Sequence, residues 1–229
     1  MKLSFEAFTL AASTADLDEE PAAREHADCV EFRMDLAADP LGDLESYDGD
    51  LPILVTNRSV EEGGAAPGPD RLEQLAAACD IDAVAAVDVE LASVDAGDAA
   101  PVQNAAADHD VTLVVSAHDF EATPSESVIE TVLRRAGGVG DVAKFASTAT
   151  DLEDALSLLS ATRTLTAGGT KVATMAMGPA GSHTRAVAPV YGSKIGYAPV
   201  DPDRATAPGQ YDLETLRTLV DTLSPGEAV

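Results

Sequence analysis

The sequence predicts a (β/α)8 barrel of the TIM type, a single domain over residues 1–229, and three observations predict it. Eight short apolar runs recur about every 25 residues, the span of one βα unit. Stretches rich in Ala, Leu and Glu, with helical spacing, separate most of them. Charged residues collect at the C-terminal ends of the runs, where parallel barrels place their chemistry. A doubly wound open sheet is the alternative. No Gly-x-Gly-x-x-Gly follows the first run, so a dinucleotide-binding version has no support.

In chain order, the expected strands are Phe5–Ala12, Asp28–Asp35, Leu51–Arg58, Ala83–Glu90, Val111–His118, Asp141–Ser147, Lys171–Met177 and Lys194–Ala198. The clearest helices between them are Arg71–Cys79, Ser125–Ala136, Asp151–Ala161 and Leu213–Leu223, with a short, weak one over Pro40–Asp48. Thr123 before Pro124, and Thr150 followed by Glu153, read as N-caps. Glu61–Pro69 is a Gly/Pro-rich loop and Ser224–Val229 a frayed tail. In the second strand Glu31, Arg33 and Asp35 share one face, and Val30, Phe32, Met34 and Leu36 the other. In a barrel the apolar face lies under the helices, and the charged face points inward to the mouth.

Composition excludes several functions. Acidic residues number 40 and basic ones 14, a formal net charge of −26. Nucleic acid and anionic membranes both require a positive face, so neither is expected as a partner. Charge this extreme reads as the solvated surface of a halophilic protein. Cys29 and Cys79 form no metal-binding spacing and read as buried thiols in a reducing cytosol. Residues Met1–Leu10 have no signal-peptide pattern, and no run is long enough to cross a membrane, so the cytoplasm is the expected location.

The chemistry starts at Lys144. The chain has four lysines (Lys2, Lys144, Lys171, Lys194), and this one lies inside the apolar run Asp141–Ser147. Burying an ammonium is costly, and the usual relief is a carboxylate partner or a depressed pKa. A lysine held partly neutral attacks carbonyls and forms a Schiff base. The plain alternative is a packed stem with its head in water. At an ordinary pKa of about 10.4, about one lysine in a few thousand is neutral at pH 7. An apolar strand and nearby arginines would favour the neutral form.

His118 closes the fifth strand, with Glu90 expected beside it from strand four and Lys144 from strand six. A carboxylate orients an imidazole and raises its basicity. A neutral histidine beside a Schiff-base lysine can move protons on the carbon next to the iminium. Lys171 and Lys194 begin their strands, at the opposite end. The loop after strand seven carries Arg185, a guanidinium suited to a carboxylate. The loop after strand eight offers Thr206 and Gln210.

The ordered set of motifs resembles the type I 3-dehydroquinate dehydratases, the Schiff-base enzymes of the shikimate pathway. It comprises Glu31-Phe32-Arg33-Met34-Asp35, Arg58-Ser59 with Glu62-Gly63-Gly64, Asp88-Val89-Glu90-Leu91, His118-Asp119-Phe120, Lys144, Met175 and Met177, Arg185, Tyr191-Gly192-Ser193 and Ala207-Pro208-Gly209-Gln210. The resemblance implies that Lys144 forms an imine with the ring ketone of 3-dehydroquinate and that His118 moves the protons. It also implies that Glu90 pairs with His118 and Arg185 binds the substrate carboxylate. Glu31, Arg33, Arg58, Thr206 and Gln210 would hold the ring hydroxyls and order the loops. No metal or cofactor is implied, because the protonated imine is the electron sink. A homodimer is expected, and an N-terminal hairpin closing the barrel bottom is expected to be reduced or absent. The alternatives are a class I aldolase-like Schiff-base lyase and a non-catalytic barrel binding a carboxylated metabolite.

Overall fold

The structure is a computed structural model that describes residues 3–201 and 209–224. Eight parallel strands form one sheet: β1 (Thr9–Thr14), β2 (Cys29–Arg33), β3 (Ile53–Thr56), β4 (Val84–Glu90), β5 (Thr112–Asp119), β6 (Val142–Thr148), β7 (Val172–Met177) and β8 (Ile195–Pro199). Their order is β7-β6-β5-β4-β3-β2-β1-β8. The two outer strands meet through a parallel bridge between Val172 and Ser193, with the Lys194 amide donating to the Val172 carbonyl at 2.7 Å. The sheet is therefore a nearly closed barrel with helices around it, as the alternating runs predict.

Alternation along each strand builds two cores. Val30 and Phe32, Val87 and Val89, Val115, Ala143 and Phe145 face outward and pack under the helices. Cys29, Ala86, Val114 and Val142 face inward and form an apolar floor. The polar residues two positions further along the same strands — Glu31, Asp88, Ser116 and Lys144 — lie just above that floor. This layering sets the depth of the site, since Lys144 follows Val142 on β6 by one inward step.

Several boundaries differ from the sequence reading, each for a local reason. The first strand starts at Thr9, not Phe5. Phe5 has a φ of 50° and is buried against Cys29, Leu54 and Val114, plugging the lower end of the barrel. Lys171 donates to the Ser4 carbonyl at 2.9 Å and pairs with Glu6 at 2.6 Å, and Lys194 donates to the Glu6 carbonyl. Both lysines thus anchor this plug, away from the mouth. Residues 3–8 contain no strand. The second strand ends at Arg33, and a 3-10 turn over Met34–Leu36 breaks the alternation before Asp35.

Two caps also move. Asp151, not Thr150, caps the helix Leu152–Ala167 by accepting from the Asp154 amide. Thr150 instead donates twice to the Asp154 carboxylate, at 2.7 and 2.8 Å. The helix Glu126–Gly137 begins after Ser125, and Thr123 donates to the Thr148 carbonyl at 3.0 Å, tying that loop to the end of β6.

Candidate active site

The mouth of the barrel holds a cleft of about 570 Å³ lined by Glu31, Arg33, Arg58, Glu62, His118, Phe120, Lys144, Met175, Met177, Arg185, Tyr197 and Gln210, among others. Seven of the nine expected site residues are in this lining: Lys144, His118, Glu31, Arg33, Arg58, Arg185 and Gln210. Thr206 lies outside the described residues. Glu90 is not part of the lining.

Lys144 is 5% exposed, and its Nζ donates to Asp88 Oδ2 at 2.8 Å. Glu31 Oε1 is 4.0 Å away, and the Tyr197 ring centre lies 4.3 Å from Nζ. Of the two reliefs for a buried lysine, the structure supplies the carboxylate partner. Asp88 Oδ1 accepts from Arg58 Nη2 at 2.7 Å and from Ser116 Oγ at 2.5 Å. Burial opposes its ionisation, but Arg58 and Lys144 outweigh burial and hold the carboxyl well below the usual carboxylate range. Burial likewise opposes the charge on Arg58, yet Asp88 and Glu90 hold its guanidinium firmly protonated. Arg58 is thereby committed to ordering acids in the wall.

The expected pairing of Glu90 with His118 is corrected. The register sets Glu90 opposite Ser116, two residues short of His118. There both its oxygens are taken: Oε2 by Arg71 Nη1 at 2.7 Å, and Oε1 by the Ser59 amide and Arg58 Nη1, each at 3.1 Å. The partner of His118 is Glu62, whose Oε2 lies 2.8 Å from Nδ1. Glu62 comes over the strand ends from the 3-10 turn Val60–Glu62, which Ser59 caps by accepting from the Glu62 amide. Gly63 ends that turn with a φ of +80°, and a Cβ there would lie 2.4 Å from the Phe120 ring. Phe120 in turn stacks on His118, with centroids 6.1 Å apart. Glycine at position 63 is what lets the ring cover the histidine.

Electrostatics divides the pair. Burial, reinforced by Arg58 and Lys144, pushes the His118 imidazole well below the usual histidine range, so it is neutral near pH 7. Burial also pushes the Glu62 carboxyl up to about 7, with Glu90 and Asp88 adding to the push and Arg58 opposing it. A neutral imidazole on a carboxyl that titrates near neutrality is suited to accepting and returning a proton. Across the mouth, Arg185 sits on the short helix Thr184–Val187, where burial lowers its guanidinium to about 10. Arg33 is held by Asp35 at 2.7 Å. Among the described residues, no three or more His, Cys, Asp or Glu side chains are placed to hold a metal ion, and no helix is long and apolar enough to cross a membrane.

Known proteins resemble the chain along most of its length. The sequence model of the type I 3-dehydroquinase family matches residues 8–226. A 3-dehydroquinate dehydratase of Haloarcula marismortui is 59% identical over 225 residues, covering 96% of this chain and 98% of that protein. The one from Halobacterium salinarum is 53% identical over 225 residues, covering 96% of this chain and all of that protein. The crystal structure of 3-dehydroquinate dehydratase from Geobacillus kaustophilus superposes with a TM-score of 0.84 at 29% identity, over 95% of this chain and 91% of that one. A type I enzyme from Clostridium difficile, crystallised with covalently modified comenic acid, also scores 0.84, at 26% identity over 95% and 92% of the two chains. With a barrel of the same shape and a match along nearly its whole length, the chain belongs to the type I 3-dehydroquinase family.

Proposed function

We propose that the chain dehydrates 3-dehydroquinate to 3-dehydroshikimate and water through an imine on Lys144. The observation that carries this reading is the convergence of one buried lysine and one neutral histidine in a single cleft. The covalent modification named for the Clostridium difficile relative is consistent with a family that forms adducts. Lys144 attacks the ring ketone, and water leaves to give the protonated imine. His118 takes the proton from the adjacent carbon, and the electron pair moves into the imine to form an enamine. The enamine then expels the hydroxyl, which His118 protonates as it leaves. Water hydrolyses the product imine and restores the amine. Phe120 over His118 and the apolar floor under Lys144 limit the water reaching both groups.

Arg185 pairs with the substrate carboxylate across the mouth, as a buried guanidinium does well. Gln210, Arg33 and Glu31 hold ring hydroxyls, together with Thr206. Arg58 acts through Asp88, Ser116 and Glu90, which occupy its guanidinium. Glu90 fixes Arg58, Arg71 and the start of the Glu62 turn, and so acts by positioning. The same reading includes a cytoplasmic location and a homodimer. The two unpaired, buried thiols suit a reducing compartment, and sedimentation equilibrium tests the dimer.

The experiment is reductive trapping. Protein incubated with 3-dehydroquinate and borohydride should gain the mass of one reduced adduct, mapping by peptide to Lys144. Folded protein with no adduct there would overturn the imine mechanism. An aldolase-like lyase would be trapped only by its own substrate, and a binding barrel by none.

A further inference from the structure

Among the described residues, the shortest ionic contact of Lys144 Nζ is with Asp88, a residue with no role in the steps above. Asp88 has no exposed side-chain surface. Its Oδ2 faces Nζ at 2.8 Å, while Arg58 and Ser116 clamp Oδ1 at 2.7 and 2.5 Å, so the carboxylate cannot swing away. The face of Tyr197 backs the same nitrogen at 4.3 Å. Glu31 is a weaker candidate for this place: it stands 4.0 Å off, with its oxygens accepting from Ser13 and Thr56.

We propose that Asp88 is the fixed counter-ion of the Lys144 nitrogen throughout the reaction, first of the ammonium and then of the protonated imine. The proposal rests on the imine reading of Lys144. Its chemistry balances without an outside proton. An ammonium and a ketone give a protonated imine and one water: the C=O bond is replaced by C=N, two N–H protons end on the departing oxygen, and the positive charge stays on nitrogen. One of those protons leaves nitrogen before attack, rests on the His118–Glu62 pair, and returns to the oxygen. A buried anion at Nζ therefore stabilises both charged end states, and a ring face attracts either cation. Asp88 suits the part of a permanent anion better than that of a base, because Arg58 and Lys144 keep it ionised. The alternative is that Asp88 serves only to hold Arg58 in the wall.

The pH dependence of borohydride trapping on Lys144 separates the two. An anion beside Nζ favours the ammonium over the attacking amine. In Asp88→Asn the trapping profile should therefore move to lower pH, by about one unit or more. The plateau yield should also fall several-fold, because the imine has lost its counter-ion. Ser116→Ala removes a hydrogen bond from Oδ1 without changing the charge at Nζ, and its profile should stay at the pH of the unaltered protein. An Asp88→Asn profile at the unaltered pH, with lower yield alone, would mean that Asp88 is only a structural partner of Arg58. If Asp88→Asn does not fold by circular dichroism, Asp88→Glu decides the matter. It keeps the charge on a longer arm, so yield should fall without displacement of the profile; a displaced profile would overturn the proposal. Absence of any Lys144 adduct in the unaltered protein would instead be a failure of the imine reading itself, and would remove this proposal with it.

Discussion

Glu62 Oε2 lies 2.8 Å from His118 Nδ1, and this contact joins the turn after β3 to the end of β5. A hydrogen bond at Nδ1 fixes the tautomer and leaves Nε2 as the working nitrogen. Because Glu62 titrates at about 7, its ionised form should raise the basicity of His118 as pH rises through neutrality. The kcat of the unaltered protein should climb through about pH 7. In Glu62→Gln that inflection should vanish, and kcat should fall about tenfold to a hundredfold. A pH–rate profile that keeps the inflection in the variant would assign it elsewhere.

The same group predicts a stability effect of definite sign. The Glu62 carboxyl is raised in the folded protein, from about 4.5 to about 7. Its contribution is complete below the unfolded value and is lost as pH rises through the folded one. The melting temperature should therefore decline less between pH 5 and 7 in Glu62→Gln than in the unaltered protein. Thermal melts at a series of pH values check this.

His118→Ala should divide two readouts that Lys144→Ala would abolish together. Without the base, turnover should drop by about 10²- to 10⁴-fold, while trapping on Lys144 survives better. Equal loss of both would place His118 in imine formation alone, or in the architecture of the site.

Glu90→Gln should act on stability before chemistry. Glu90 bonds Arg58, Arg71 and the Ser59 amide from a position that is 2% exposed. Removing one partner of a buried ionic cluster costs about 3–5 kcal/mol. Urea unfolding should show the loss. Trapping on Lys144 should persist in the protein that remains folded at low temperature, since the Lys144–Asp88 and His118–Glu62 contacts do not themselves include Glu90.

The contrast between Glu62 and Glu90 shows where the sequence is legible. Strand periodicity placed Lys144, His118, Glu31 and Asp88 on one face of one barrel, because inward positions recur every second residue. It did not give the relative height of residues on adjacent strands, which depends on register. Glu90 sits opposite Ser116, and this single offset hands His118 to a different carboxylate. Glu62 occupies a Gly-rich turn with no period to read, although it was within a motif shared with the family. Arg71 did carry a signal. It shares the buried stripe of its helix with Leu72, Leu75 and Ala78, and a guanidinium on an apolar face calls for a buried acid, here Glu90. Phe5 marks another limit: an apolar residue near the start of a strand can be a plug in the barrel as readily as part of the strand.

Salt should stabilise the fold, and the distribution of its cations strengthens that expectation. The net charge is −26, with only 14 Lys and Arg residues in the chain. Arg58, Arg71, Lys144 and Arg185 are buried at the mouth, so still fewer cations remain to offset the acids outside. Surface repulsion is screened over about 10 Å at 0.1 M salt and about 3 Å at 1 M, whereas the buried pairs at Asp88 and Glu90 are shielded from solvent ions. The melting temperature should therefore rise steadily with salt through the molar range, while the pH inflection assigned to Glu62 moves little. A melting temperature independent of salt would show that the acids are spaced too widely to repel one another. A salt-dependent shift of the Glu62 inflection as large as the change in stability would mean that the mouth is open to ions.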